Sequence, residues 1–504
     1  MVSNEIKTTS QGIGKIVRKP PYKSVLGSVF GVFLSILLTG CSVGPDFQRP
    51  SPPDIAAYTP EPLKRHIPSV NTTLGNSQNL IEGKKIDREW WLELGSDKLN
   101  GLISLALESN PTLSAAQATL RQAQELYSAR SGSTLYPQVD GNLGGQRQRF
   151  NPGALGQSGQ AQEFSLYNAD VGVRYTFDFF GGNRRALEAL AAKSNYQLFQ
   201  LEAARLTLAA SIATTAIDQA RLSMEIQTTE NIFRSQKEQL GLVQERVRLG
   251  QASPDDVLAL QTQLEQTRAS IPLLRNQLQE NQHLLSVLVG RSPGEGALPS
   301  FSLKDFRLPS DLPLLVPSEL VRTRPDILSA EALLHAANAE YGVALSKLYP
   351  QITLSADIGS QALTTGALFG SGSAVWSLVG QLTQPLFNPG LPAEKRAALA
   401  DFDAAAANYQ MIVLESLRNV ADVLRALEND SDRLAALSAA ESSSQHLLDS
   451  TRRRYALGTA SYNDLLIAQQ QSQLTQLDLI KGQAKRLINS VAFYQAMGGG
   501  KESR

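Results

Sequence analysis

The sequence predicts an α+β membrane protein: a long α-helical, coiled-coil-like tunnel barrel plus a shared transmembrane β-barrel, four strands per chain and twelve in a trimer, with internal tandem duplication. Three observations predict it. RLGQASPDDV (from Arg248) and ALGTASYNDL (from Ala456) are near copies 208 residues apart. Each follows a stretch that lacks helix breakers, since residues 183–249 hold no Pro and a single Gly (Gly241) while residues 393–457 hold neither. Finally, ADVGVRYTFDFF alternates with the period of a strand, Val171, Val173, Tyr175, Phe177 and Phe179 facing one way and Asp170, Arg174, Thr176 and Asp178 the other.

The chain begins with basic residues (Lys7, Lys15, Arg18, Lys19, Lys23), then the uncharged apolar run SVLGSVFGVFLSILLTG, then Cys41, its only cysteine. A basic start, a short apolar run and small residues before a cut site read as a secretory signal over residues 1–40. Leu38-Thr39-Gly40-Cys41 resembles the bacterial lipobox, so Cys41 is the expected lipidation site, and Ser42 behind it suggests sorting to the outer membrane. A lone cysteine makes no disulfide framework, and acyl chains anchor a chain end to a membrane. The 47 Lys/Arg balance the 47 Asp/Glu, so with the basic leader removed the remainder is slightly acidic and no nucleic-acid partner is expected. Residues 41–86 are polar and Pro-rich and are read as a lipidated segment running extended over a surface.

Beyond Trp90 the chain can be laid on itself. NPTLSAAQATLRQAQELYSARSGSTLYPQV (from Asn110) pairs with RPDILSAEALLHAANAEYGVALSKLYPQI (from Arg324). The expected organisation is a first repeat at 87–290, a Pro-rich inter-repeat segment at 291–324, a second repeat at 325–498 and a tail at 499–504. In each repeat the breaker-free stretch forms one helix, roughly 100 Å long at 1.5 Å per residue. Recurrent charges make these helices unlike membrane spans, and abundant Ala suits close, coiled-coil-like packing. Ser253-Pro254 and Ser461 supply N-cap chemistry for return helices, the first interrupted by Pro272 and the second softened by Gly482. The short helix opening each repeat would then stack end to end with the return helix.

QITLSADIGS repeats the strand alternation more weakly, and partner strands near 138–148 and 375–385 complete one hairpin per repeat. The strands alone fit a soluble sheet with one wet face equally well; the signal and anchor favour a lipid-facing side for Val171, Val173, Tyr175 and Phe177. Four strands cannot close a barrel, for which about eight is the minimum, and open edges do not survive in lipid. Copies of the chain must share one: two would give eight strands and little lumen, while three give twelve and an open bore, which favours three.

DREWWLELGSDKLNGLISLALESNP, LPLLVPSELVRTRPDILSAEALLHAANAEYGVALSKLYPQITL, CSVGPDFQRP and the paired LGxAS segments resemble the outer-membrane factor family, in particular the lipoprotein branch of tripartite resistance-nodulation-division efflux systems. The likeness covers nearly all of the chain after the leader. It implies a homotrimer in the outer membrane of a Gram-negative bacterium, with a tunnel in the periplasm, a periplasmic adaptor and an inner-membrane pump as partners, and export of drugs or other small molecules. It further implies that the tips, Leu249, Gly250, Ala252 and Ser253 with Leu457, Gly458, Ala460 and Ser461, contact the adaptor. A periplasmic gate would use Asp256 and Tyr455 as a lock between the hairpins and Asp464 as a ring of carboxylates, with Ile467 where some relatives have a second Asp.

No assembled catalytic site accompanies this pattern. The four histidines (His66, His283, His335, His446) are scattered, without H-E-x-x-H, G-x-S-x-G or P-loop motifs, so neither enzyme activity, a metal site nor a cofactor beyond the covalent lipid on Cys41 is expected. The remaining alternative to a conduit is a structural envelope lipoprotein built on long helices, which would have no use for the strands. Mass spectrometry of the mature amino-terminal peptide is expected to begin at Cys41 and to carry acyl mass; an unmodified Cys41, or cleavage elsewhere, would remove the anchor from this reading.

Overall fold

The computed structural model describes residues 42–156 and 158–500; the leader and Cys41 lie outside the described residues. In chain order the strands are β1 (His66–Ile67), β2 (Gln78–Glu82), β3 (Gln138–Phe150), β4 (Gln162–Phe177), β5 (Asp311–Leu314), β6 (Gln351–Ala362) and β7 (Ala374–Thr383). The principal helices are α1 (Asp97–Ser109), α2 (Pro111–Leu135), α3 (Gly182–Arg248), α4 (Pro254–Leu288), α5 (Pro325–Ser346), α6 (Gly390–Ala456) and α7 (Tyr462–Ala496). Both breaker-free stretches are single helices of 67 residues. The chain divides into two units, each described by itself.

One unit, built from residues 137–185 and 345–388, is a four-stranded sheet in the order β3-β4-β6-β7, antiparallel throughout. Directly opposed residues share a face. Val173 lies between Val139 and Ala356, Val171 lies opposite Ile358, and Ile358 lies opposite Trp376. Val139, Val171, Val173, Ile358 and Trp376 are all exposed, and the Tyr175 ring meets Phe177 edge-on at 5.1 Å. The other face is polar and internally bonded. Asn142 and Asn168 donate to the two oxygens of Asp170 at 3.0 and 2.8 Å, Ser377 donates to Asp357 at 3.0 Å, and the Thr176 and Thr353 hydroxyls meet at 3.2 Å. Gly172 makes room for this layer, since a Cβ there would come within 2.7 Å of Asp357 Oδ1. Val171, Val173, Tyr175 and Phe177 therefore lie together on the apolar face of the sheet, opposite the bonded polar one. After β4, the Asp178 carboxylate accepts from the backbone N–H groups of Asn183 and Arg184 at 3.1 and 2.8 Å and so starts α3.

The other unit contains the helices and a second, smaller sheet in the order β1-β2-β5. Here the structure departs from the extended surface path expected for residues 41–86. β2 pairs in parallel with β5, and Gln78, fully buried, donates to the Pro309 carbonyl and the Ser490 hydroxyl at 3.0 and 3.1 Å. The partner strand lies 232 positions away along the chain, so no local pattern announces the pairing. Trp90 stacks on Tyr494 at 5.3 Å in a core shared by α1, the middle of α3 (Ile212, Ala216, Ile217), α6 (Val420, Leu424) and α7 (Leu487, Val491).

Two expectations about the return helices are corrected. α4 runs unbroken through Pro272: the proline forfeits one helical hydrogen bond, but Ile271 beside it is buried and the packed face carries the helix through. Gly482 is a packing site rather than a soft point, because a Cβ there would meet Leu437 Cδ1 of α6 at 2.7 Å.

The end-to-end stacking is built twice with different chemistry. Asn110 caps α2 through its Oδ1, which accepts from Thr112 and Leu113, and its Nδ2 donates to the Leu288 carbonyl at the end of α4 at 2.8 Å. In the second repeat Arg324, at the matching position before Pro325, donates to the Ala496 carbonyl at the end of α7 at 2.9 Å and holds Asp326 with both ends of its guanidinium. Donors placed on the last carbonyls of a helix satisfy otherwise orphaned acceptors.

The two faces of the large sheet predict opposite responses to charge. In a bilayer, Val173→Arg is expected to cost about 2–4 kcal/mol at mid-membrane depth, whereas Thr176→Arg, on the polar face, costs much less. Thermal or denaturant unfolding of the two variants in lipid checks this, and equal tolerance would contradict the facing.

Candidate functional site

The two LGxAS segments are the turns joining α3 to α4 and α6 to α7, and their geometry is nearly identical. Gly250 and Gly458 sit at φ +74° and +77°, a conformation that only glycine adopts without strain. Gln251 N–H donates to the Arg246 carbonyl and Thr459 N–H to the Arg454 carbonyl at 2.8 and 2.9 Å, closing the same helix-ending motif in both turns. Ser253 and Ser461 then cap the return helices. Leu249 and Leu457 stand exposed at the two turns, Leu457 at 78%; Ala252 and Ala460, between glycine and cap, are half-buried.

The structure places Asp256 and Asp464 at equivalent positions. The Asp256 carboxylate accepts from the Ser253 N–H at 3.1 Å. That of Asp464 accepts from the Ser461 N–H and hydroxyl at 2.9 and 2.7 Å, while Ser461 Oγ accepts from the Asp464 N–H at 3.1 Å. These are reciprocal capping boxes. The hydroxyl and N–H of Ser461 hold the Asp464 carboxyl below the usual aspartate range. The expected direct bond between Tyr455 and Asp256 is not formed among the described residues, because the Asp256 carboxylate is turned back onto its own helix start.

What joins the two hairpins at this level is aromatic and apolar. The Tyr455 ring lies 5.8 Å from that of Tyr462 and is covered by the Arg246 guanidinium at 4.9 Å, a cation–π contact. Tyr462 is buried with Val243 of α3 and Leu260 of α4, and Tyr455 also packs beside Leu448, Leu465 and Ala468. Burial, together with Tyr455 and Asp256 nearby, pushes the Tyr462 hydroxyl up to about 12. The sequence reading missed Tyr462 and Arg246. The signal for Tyr462 was present: within the repeated decapeptide it occupies the place of Pro254, where an aromatic residue serves no purpose in an ordinary turn. Ile467, one turn beyond Asp464, is exposed and apolar.

No described helix is long and apolar enough to cross a membrane. Comparison with known proteins places these features in company. The family model described as "Outer membrane efflux protein" matches residues 102–291 and 316–499, one stretch in each repeat. Over 485 residues the chain is 30% identical to the solvent efflux pump outer membrane protein SrpC of Pseudomonas putida, covering 93% of this chain and 97% of that one. It is 26% identical to the cation efflux system protein CusC of Escherichia coli strain K12, covering 93% and 98%. Among solved structures, the outer-membrane channel OprN aligns with a TM-score of 0.82 at 26% identity, over 91% of this chain and 99% of that one.

The capping box makes the second turn sensitive to acid in a defined sense. Asp464 has a depressed folded-state pKa, so its contribution is fully present above the ordinary aspartate value of about 3.9 and is lost as pH falls through the lower folded value. Amide exchange across residues 459–466 is expected to stay slow until below that value. Ser461→Ala removes the main partner and moves the transition to higher pH.

Proposed function

The chain belongs to the outer membrane efflux protein family, whose members are passive channels and not enzymes, and on that premise we propose how this one is assembled and engaged. It is an outer-membrane efflux channel component. Three copies close a twelve-stranded barrel. The observation that carries this reading is the open four-stranded sheet with one exposed apolar face: among the described residues, β3 and β7 have no neighbour on their outer edges, and unpaired strand edges do not persist in hydrocarbon. The helices also call for a neighbouring copy. α2 buries only Leu113, whereas its repeat counterpart α5 is largely buried within the chain, so α2 presents an uncovered flank to a neighbouring copy.

In this reading Cys41, lipidated, adds an acyl anchor to the barrel. The paired turns, with exposed Leu249 and Leu457, dock a periplasmic adaptor that connects to an inner-membrane pump of the resistance-nodulation-division type. The cluster of Tyr455, Tyr462 and Arg246 holds the hairpins together behind the turns, with Asp464 offering a carboxylate from each of three copies. Cargo consists of small molecules. The relatives are named for efflux of substances ranging from solvents to cations, which supports a shared conduit whose selectivity resides in the pump.

Gly458→Val separates conduction from docking. A Cβ at Gly458 meets nothing within 4 Å, so the cost is local backbone strain, about 1–2 kcal/mol, at the turn alone. Purified protein in planar bilayers is expected to conduct as a trimer, and the variant to conduct comparably while export by cells carrying it is lost. A wild type that never conducts would favour the structural lipoprotein.

A further inference from the structure

Directly behind the aromatic cluster, the contact between hairpins changes character. Gln236 on α3, Gln263 on α4 and Gln469 on α7 are 1%, 6% and 3% exposed. Gln236 Oε1, both amide atoms of Gln263 and Gln469 Oε1 have no hydrogen-bond partner in the protein, and neither do Gln239 Oε1 or the Tyr462 hydroxyl. The bond that does cross here, from Gln236 Nε2 to Gln473 Oε1, is 3.5 Å long, at the limit of what counts as one. Within the α6–α7 hairpin at the same level the polar groups are paired: the Ser444 and Thr475 hydroxyls meet at 2.6 Å, and Ser472 donates to Gln445 at 3.0 Å. The unpartnered glutamine atoms thus sit on α3, α4 and α7, where the long Gln236–Gln473 contact is the bond that joins the hairpins, while Gly482 lets the second hairpin itself pack tightly.

A buried amide without a partner costs the desolvation of its polar atoms, while one exposed to solvent recovers them. Native interiors seldom leave several such groups together. We propose that this glutamine layer is an opening device: the packed seam is kept shallow in free energy because separating the hairpins returns the orphaned amides of Gln236, Gln263 and Gln469 to water. The aromatic cluster at the turns supplies the attraction and the glutamines set how little is needed to undo it. A seam lined with leucine would hold equally close but would not part. This rests on the reading of the chain as a conduit, whose bore must widen behind the turns.

Gln236→Met with Gln263→Met keeps the side-chain shape and removes the orphaned atoms. Hydrogen exchange of the backbone over residues 236–247 and 455–473 in the trimer is expected to slow at least tenfold, and channel openings in bilayers to become correspondingly rarer. Ser444→Ala, which breaks a satisfied pair, is expected to speed exchange instead. Should the double variant fail to assemble, Gln469→Met alone carries the same comparison, and unchanged or faster exchange in it overturns the seam. Slower exchange with unaltered opening overturns its part in opening. A wild type without conductance overturns the conduit reading, while exchange still decides whether the glutamines weaken the seam.

Discussion

Backbone N–H and C=O groups cannot be left unpaired in hydrocarbon, and the outer edges of β3 and β7 carry a full row of them. That constraint reaches well beyond the sheet. It demands neighbouring copies, and neighbouring copies in turn explain why α2, nearly bare within one chain, keeps exposed apolar residues such as Leu126 and Leu135. It also explains why the polar face of the sheet is internally bonded, with Asn142, Asn168 and Asp170 satisfying one another. A face turned toward a bore holds its own polar groups in place while remaining wet.

Duplication solves the length problem of a long helical wall. Each repeat uses one 67-residue helix and two shorter ones stacked end to end, so the wall is continuous on both sides of every hairpin. The junctions show how a duplicated design drifts while its geometry stays. Asn110 and Arg324 occupy the same place before a proline, and both donate to the last carbonyls of the return helix, one as a neutral amide and the other as a guanidinium shared with Asp326. Glycines at φ +80° and +87°, Gly290 and Gly498, end the return helices at the same two points.

The turns diverged where it matters for holding the hairpins together. Their glycines, serine caps and capping carboxylates are common to both, which accounts for the repeated decapeptide as a well-formed αα turn. Tyr455 and Tyr462 belong only to the second, and Val243, Arg246 and Leu260 of the first hairpin receive them. Cohesion at this level comes from ring faces and apolar burial, while Asp256, expected to lock it, caps its own helix start.

Periodicity, breakers and self-similarity are properties of neighbouring letters, and through them the sequence alone determined the duplication, both long helices, the large sheet with its apolar and polar faces, and the turns. The facing of Val171 and Val173 followed from alternation because a strand has no third direction to point. What needed the tertiary structure were contacts between residues far apart in the chain. The β2–β5 pairing joins two short segments with no local signature. Asp256 could be a lock or a cap with equal right until its carboxylate was seen turned onto Ser253. Gln236, Gln263 and Gln469 look like solvated helix positions in a Gln-rich chain, and only packing reveals that they are buried and without partners, because the burial of a polar side chain is decided by what the rest of the fold brings over it.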